Sequence, residues 1–156
     1  MGPRWFTISA MTTIDRSALL PHDASHLFAL VADIERYPEF LEGCTGAEII
    51  SREPEMVTAR LKLARAGLTH SFVTRNTLRA PESIRLELVD GPFERFQGCW
   101  TFRALAPDAC KVTLQLDFRL RSGLVHAAAG KLFDRVALDM VDAVVRRAAA
   151  LKVAAS

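Results

Sequence analysis

The longest amphipathic pattern in the chain lies near its C-terminal end, between Gly123 and Val153. This stretch contains no proline, and as an α-helix it would be about 46 Å long. Apolar side chains fall on one arc of its helical wheel and charged side chains on the opposite arc, as in helices that pack on a core. The apolar arc contains Val125, Ala129, Leu132, Phe133, Val136, Met140, Ala143, Val144 and Leu151. Because one helix cannot bury this face against itself, the preceding residues must supply a large apolar surface.

The residues before this helix alternate between apolar and polar side chains, as expected for half-buried β-strands. The alternation is unbroken from Cys110 to Arg121. Shorter alternating segments are separated by proline, glycine and aspartate residues that favour turns. These segments predict further strands over 12–20, 47–53, 57–63, 69–78, 84–88 and 93–104.

Two short helices are predicted between the first and second strands. Asp23 is a favourable N-cap for a helix from Ala24 to Ala32. The segment Ile34–Phe40 predicts a second short helix that breaks at Tyr37, because the residue before a proline is disfavoured in the helical conformation. Residues 41–46 are predicted to form a loop, and Ser122 is positioned to cap the long C-terminal helix.

The order of these elements predicts an α+β fold. Short turns between consecutive strands imply an antiparallel meander, and the only large apolar partner for its inner face is the final helix. We therefore expect a curved antiparallel sheet of about six or seven strands around a long C-terminal helix, with two short helices after the first strand. Residues 1–10 differ in character from the rest. We expect them to be an extension or a disordered N-terminus, followed by a single domain over 11–153.

The composition limits the possible classes of function. Half of the 156 residues are hydrophobic, which indicates a globular protein. The formal net charge of +2 is too small to predict nucleic-acid binding by itself. The longest run without a charged residue, Trp5–Ile14, is too short to cross a bilayer. The three cysteines have no metal-binding spacing, which favours free thiols in a reducing compartment. These features predict a soluble, cytoplasmic protein.

No residue pattern in the sequence predicts catalysis. The chain lacks a nucleophile elbow, a phosphate-binding loop, a dinucleotide-binding motif and a zinc-protease motif. Of the histidines, only His22 and His26 have a spacing near that of a metal pair, and the helix start between them disfavours it. We predict no catalytic residues, no metal site and no required cofactor. A cyclase-like enzyme is the weakest alternative, because it would need a polar acid–base pair among apolar inward positions.

The inward-facing residues of the sheet and helix are large and apolar, which allows two interpretations. They form either a close-packed core or the wall of a cavity at one end of the helix, which would suit an apolar ligand. The second interpretation predicts a ligand site. Its residues are Phe40, Leu61, Leu63, Phe72, Leu86, Phe93, Phe96, Trp100, Leu116, Phe118, Phe133, Val136 and Met140.

The final helix also carries a second, narrower apolar stripe, formed by Leu138, Val141 and Val145. It is displaced toward the charged side of the helix, and basic residues follow it at Arg146 and Arg147. An outward apolar stripe beside cations is typical of a surface that contacts a membrane or a second subunit. The alternative is that the N-terminal residues or a loop cover it.

Four segments of the chain resemble one known family. They are LFALVADIERYPEFLEGC, LVDGPFERFQGCWTF, CKVTLQLDF and FDRVALDMVDAVVRRA, and together they resemble the RatA-like, coenzyme Q-binding proteins of the START superfamily. The resemblance implies the helix-grip fold. Tyr37, Pro38 and Phe40 match the first motif of the family, and Trp100 matches the strand after its turn motif. Members often have Pro-Trp before the cysteine, whereas this chain has Glu42-Gly43 before Cys44.

The resemblance implies two different functions. One is a lipid chaperone that binds ubiquinone or another polyprenyl quinone in the cavity and supports respiration, which we expect to act at the inner membrane face. The other is a ribosome-association toxin that binds the large ribosomal subunit and inhibits translation initiation. Binding to ribosomal RNA would be favoured by a basic outer sheet face built from Arg60, Lys62, Arg75 and Arg85. Lipid binding is our first expectation, with ribosome binding as the alternative; a homodimer is compatible with either.

Overall fold

The elements of the fold follow the order predicted from the sequence. A computed structural model of the chain describes residues 11–121 and 127–155. The chain forms β1 (Thr12–Leu20), α1 (Ala24–Ala32), a 3₁₀ helix (Ile34–Glu39), β2 (Cys44–Glu53), β3 (Met56–Arg65), β4 (Leu68–Arg79), β5 (Ser83–Asp90), β6 (Phe93–Ala106), β7 (Ala109–Leu120) and α2 (Ala127–Ala155).

The strands form one seven-stranded antiparallel sheet with the order β1-β7-β6-β5-β4-β3-β2. Consecutive strands from β2 to β7 are neighbours, as expected for a meander joined by short turns. The strand β1 pairs with β7, so β1 and β2 form the two edges of the sheet. The helix α1 and the 3₁₀ helix therefore carry the chain from one edge to the other. The predicted curved sheet with a long C-terminal helix is confirmed.

The core lies between the inner face of the sheet and α2. On β7, the inward side chains of Cys110, Val112 and Leu114 are fully buried, whereas Lys111 on the outer face is exposed. The helix α2 buries residues that include Leu132 and Ala143 against this face. Burying a large aliphatic or aromatic side chain contributes about 1.5–3 kcal/mol, so the stripe of α2 is the main source of its helical stability.

The beginning of α1 and the path of the 3₁₀ helix show how local sequence signals act. Asp23 caps α1 as predicted, since its carboxylate accepts a hydrogen bond of 2.6 Å from the backbone N–H of His26. The predicted break at Tyr37 is wrong, because the 3₁₀ helix continues through Pro38 to Glu39. A 3₁₀ turn has few internal hydrogen bonds, so the missing N–H of a proline costs less there than in an α-helix.

Several boundaries differ from the predicted ones. The strand β2 begins at Cys44, so the second half of the predicted loop over 41–46 belongs to this strand instead. Register shifts after Cys44 and Ile49 interrupt the alternation of β2 and hide its start from a pattern search. The strand β6 runs on to Ala106. The predicted start of the long helix at Gly123 and its cap at Ser122 lie outside the described residues.

The prediction that Val141 belongs to an outward apolar stripe is wrong. Val141 is 3% exposed and packs in the core, whereas Leu138 is 41% exposed and Val145 is half-buried. The reason is that α2 also lies along the edge strand β1. The Thr12 hydroxyl donates to the Asp134 carboxylate at 2.8 Å, and the Arg16 guanidinium donates to the Leu138 carbonyl at 3.2 Å. The buried arc of α2 is therefore wider than the sheet face alone would make it.

Candidate functional site

A small cavity of about 60 Å³ lies between α2 and the inner face of the sheet. All of the residues predicted to bind a ligand, except Phe40, contribute to its wall. The wall consists of Ile34, Tyr37, Leu41, Leu61, Leu63, Phe72, Thr74, Asn76, Leu86, Phe93, Phe96, Trp100, Leu116, Phe118, Phe133, Val136, Ala137 and Met140. The structure thus brings the predicted residues together, and their binding of a ligand stays a prediction.

The predicted place of Phe40 in this wall is wrong. The residue follows the 3₁₀ helix, and its half-buried ring packs edge-on against Tyr37 with 5.6 Å between ring centroids. The guanidinium carbon of Arg147 lies 5.3 Å from the centre of the Phe40 ring, an arrangement typical of a cation–π contact. Phe40 therefore links the 3₁₀ helix to α2 outside the cavity. Strand alternation cannot predict where a side chain points once the chain has left a regular element.

Aromatic rings fill much of the space between α2 and the sheet and keep the cavity small. Phe93 is central, with ring centroids 4.8 Å from Phe133, 5.1 Å from Phe96 and 5.5 Å from Phe72. These rings come from β4, β6 and α2, so their edge-to-face contacts connect strands to the helix. Such close aromatic packing favours a rigid wall.

Gly98 lies beneath two leucines of the cavity wall. It occupies an inward position of β6, where it pairs with Leu86 of β5 and Leu116 of β7. A Cβ atom at Gly98 would lie 2.8 Å from Cδ1 of Leu116 and 3.1 Å from the carbonyl oxygen of Gln115. Both leucines line the cavity, and their Cδ1 atoms occupy the space that a side chain at position 98 would need.

Two side chains in the cavity wall are polar, and a pattern of apolar residues does not predict them. Thr74 and Asn76 are 6% and 5% exposed, and the Thr74 hydroxyl donates to Oδ1 of Asn76 at 2.9 Å. They occupy inward positions of β4 in alternation with Phe72, so the period-two pattern alone could have found them. A third polar group, the hydroxyl of Tyr37, donates to the Val31 carbonyl oxygen. Burial raises the pKa of Tyr37 well above its usual range, so the phenol stays neutral.

The outer face of the sheet carries the second set of candidate residues. The side chains of Arg60, Lys62, Arg75 and Arg85 are exposed there, as predicted. However, Arg60 forms an ion pair with Glu48, and Arg75 lies opposite Glu87 on the neighbouring strand. These carboxylates reduce the positive potential of the predicted set.

A second group of exposed cations lies toward the β4–β5 and β6–β7 turns. We call Arg79, Arg85, Arg103 and Lys111 the cationic band. All four side chains are exposed, and none lies within 4.0 Å of a carboxylate in the part of the chain that the structure describes. Arg103 and Lys111 are directly opposite each other on paired strands. Like charges in this arrangement destabilise a sheet, so folding alone does not favour them.

Other classes of site receive little support from the described residues. Within ranges 11–121 and 127–155, no group of three or more histidine, cysteine, aspartate or glutamate side chains is placed to hold a metal ion. The rings of His22 and His26 stack with 5.6 Å between their centroids. No helix in the described part of the chain is both long and apolar enough to cross a membrane.

Comparison with known proteins places the chain in a family. The family model described as "Polyketide cyclase / dehydrase and lipid transport" matches residues 20–145. The chain belongs to this family. The Ribosome association toxin RatA of Escherichia coli K12 is 41% identical over 138 residues, which cover 88% of this chain and 87% of that protein. The Pseudomonas aeruginosa protein of the same name is 44% identical, with 88% and 95% covered.

A more distant relative has a different name. The Coenzyme Q-binding protein COQ10 homolog B of Xenopus laevis is 24% identical over 85% of this chain and 56% of that protein. The resemblance to the RatA-like, coenzyme Q-binding family is therefore confirmed. The two relatives named RatA, at 41% and 44% identity, are described as ribosome association toxins.

Solved structures confirm the helix-grip fold. The Zhui aromatase/cyclase from Streptomyces sp. R1128 superimposes with a TM-score of 0.78 at 19% identity, covering 89% of this chain and 94% of that one. A START superfamily protein from Mycobacterium smegmatis gives a TM-score of 0.74 at 21% identity, with 89% and 98% covered. At such low identity these similarities concern the fold and carry no statement about activity.

Proposed function

We propose that this protein associates with the large ribosomal subunit and inhibits translation initiation. The observation that carries the proposal is the 41–44% identity to relatives named ribosome association toxins, over almost their whole length. The first expectation from the sequence, a quinone chaperone, has the support of a relative at only 24% identity.

The cationic band supports this proposal, and it is the surface on which we expect the contact. Ribosomal RNA presents a dense array of phosphates, and contacts from lysine and arginine to phosphates dominate the affinity of most RNA-binding surfaces. The four cations of the band lie on four adjacent strands, β4 to β7, and strands are spaced about 4.8 Å apart. Their side chains can therefore reach several phosphates at once, while α2 covers the opposite face of the sheet.

Co-sedimentation with purified large ribosomal subunits at about 50 and 200 mM salt tests the proposal. The double variant Arg85→Ala/Arg103→Ala should weaken association several-fold at low salt. It should also reduce the slope of log affinity against log salt by about 1.5, since each lost phosphate contact removes roughly 0.7–0.9.

The matched control is Lys131→Ala/Arg135→Ala, which removes two exposed positive charges from the outer side of α2. This control should bind like the unmodified protein. Equal losses in both double variants would mean that net charge, and not the cationic band, determines binding. No association of the unmodified protein at low salt would refute the proposed function.

As a second candidate function, supported by the cavity, we propose the binding of a small apolar ligand. Its wall is almost entirely apolar, and all polar groups among the described lining residues come from Tyr37, Thr74 and Asn76. Pockets that hold drug-sized ligands have volumes of about 300–1,000 Å³, far larger than this cavity of about 60 Å³. A quinone head group would need half-buried wall residues such as Phe96 and Met140 to move outward. Ubiquinone is a larger ligand that this candidate function would include. Its polyprenyl tail would lie outside the cavity, in contact with a membrane or solvent.

A further inference from the structure

The polar pair inside the cavity is unusual because apolar residues surround it. Thr74 and Asn76 lie on the inner face of β4, where their partners on the neighbouring strands are Ala59, Val57, Leu86 and Leu88. Burying a hydroxyl and an amide among such residues is costly unless every donor and acceptor finds a partner. A valine and a leucine, which have the same branching as threonine and asparagine, would avoid that cost.

The hydrogen bonds of the pair leave donors unused. The Thr74 hydroxyl donates to Oδ1 of Asn76, and Nδ2 of Asn76 has no acceptor within hydrogen-bond distance among the described residues. Within these residues, the only side-chain polar atom that is both sealed from solvent and unpartnered is Nε of Arg119. Nδ2 of Asn76 is therefore not sealed from solvent, although Asn76 as a whole is only 5% exposed. Because Asn76 lines the cavity, this nitrogen atom faces the cavity. If the amide were turned over, Nδ2 would donate to Thr74 and the Thr74 hydroxyl would be left as a free donor.

The donor of Asn76 lies in the same row of the sheet as two leucines of the cavity wall. Asn76, Leu86, Gly98 and Leu116 form one row of paired residues across β4, β5, β6 and β7. Gly98 is two strands from Asn76, about 10 Å between backbones, and Cδ1 of Leu116 and Cδ1 of Leu86 cover it, at 2.8 Å and 3.4 Å from where its Cβ atom would lie. A small ring in the cavity beside Leu86 and Leu116, admitted by an outward movement of half-buried wall residues such as Phe96 and Met140, would bring a substituent within reach of the Asn76 amide.

From this arrangement we infer that the cavity contains a hydrogen-bonding subsite at Asn76 for a compact, neutral, apolar molecule that carries a carbonyl or ether oxygen. The inference rests on the second candidate function, ligand binding in the cavity. The unused group is a donor, so the ligand must supply an acceptor. No charged residue lines the cavity among the described residues, so a carboxylate or an amine would be buried without a partner.

Two probe molecules with the same ring skeleton test the subsite by isothermal titration calorimetry. 1-Tetralone carries one carbonyl group, whereas tetralin has none, and neither reacts with the free thiols of Cys44, Cys99 and Cys110. The unmodified protein should bind 1-tetralone about three- to tenfold more tightly than tetralin, the usual range for one net hydrogen bond. Asn76→Leu should abolish this preference and keep the affinity for tetralin within about twofold.

The matched control is Arg75→Ala, because Arg75 lies between Thr74 and Asn76 on the same strand but points to the outer face. This control should keep the preference for 1-tetralone. If Asn76→Leu does not fold, as judged by its thermal unfolding transition, Asn76→Ala provides the same loss of the donor in a smaller side chain.

The outcomes separate the subsite from the cavity. Equal binding of both probes to the unmodified protein would overturn the subsite and leave ligand binding in the cavity standing. A preference that persists in the Asn76 variants would overturn the subsite as well. Binding of neither probe would overturn both the subsite and the second candidate function for ligands of this size, and would leave ribosome association untouched.

Discussion

Gly98 shows at the scale of a single residue how the cavity is built. A side chain there would approach Cδ1 of Leu116 to 2.8 Å, so a larger residue must displace Leu116 or enter the cavity. We predict that Gly98→Val destabilises the protein by about 1–3 kcal/mol, the usual cost of overpacking a core, as measured by urea unfolding. Shortening the neighbour in Gly98→Val/Leu116→Val should recover part of this loss, and strictly additive losses would show that the two side chains do not compete for space.

Individual residues also show how far sequence reasoning reaches. Period-two alternation placed Leu86, Trp100 and Phe118 in the cavity wall correctly, because a strand side chain has only two directions available. The same rule predicts that Thr74 and Asn76 point inward, whereas apolar character alone does not identify them as wall residues. Phe40 was placed wrongly because it follows a 3₁₀ helix, where the direction of a side chain depends on tertiary contacts with α2.

At the scale of the elements, Arg147 of α2 connects this helix to the 3₁₀ helix and the residue that follows it. Its guanidinium donates to one carboxylate oxygen of Glu39 at 2.8 Å and lies over the ring of Phe40. Arg36 donates to the other carboxylate oxygen of Glu39, also at 2.8 Å. The hydrogen bonds from Arg36 and Arg147 lower the pKa of Glu39 in the folded protein. A lowered carboxyl pKa stabilises the folded state above the unfolded pKa, and this contribution is lost as the pH falls through the folded pKa.

This contact gives a pH-dependent prediction. Arg147→Ala should lower the free energy of unfolding at pH 7, and the loss should shrink at about pH 3, where the Glu39 carboxyl of the unfolded chain is protonated and the pair weakens. The part that remains at low pH reports the stacking of Arg147 on Phe40. Urea unfolding at both pH values provides the measurement, with Glu39→Gln as the partner variant. If the loss in Arg147→Ala were the same at both pH values, the ion pair would contribute nothing to stability.

The elements as a whole were predictable where one local signal dominates. The cap at Asp23 and the unbroken alternation of β7 determine α1 and the last strand almost by themselves. The start of β2 was not predictable in the same way, because register shifts after Cys44 and Ile49 break its pattern. The burial of Val141 depends on the packing of β1 beside α2. The residues in this contact are more than a hundred positions apart in the sequence, so a helical wheel of α2 cannot predict it.

At the scale of the whole molecule, the two candidate functions occupy opposite faces of one sheet. The cavity lies under α2 on the inner face, whereas the cationic band lies on the outer face. Side chains on opposite faces of a strand do not touch each other, so substitutions on the two faces should have independent effects. Binding of a ligand and binding to the ribosome can therefore be separated by variants of the same chain.

This separation leads to a prediction about Met140 and Lys62. Met140→Ala removes a half-buried part of the cavity wall and should lower the amount of lipid or quinone retained by protein purified from its own host, as measured by native mass spectrometry and lipid extraction. Lys62→Ala, on the outer face, should retain the same amount as the unmodified protein. Met140→Ala should still co-sediment with large ribosomal subunits, because the cationic band is unchanged. Equal losses of ligand in both variants would contradict a ligand site under α2. Weaker ribosome association of Met140→Ala would show that a change in the cavity wall alters the outer face of the sheet.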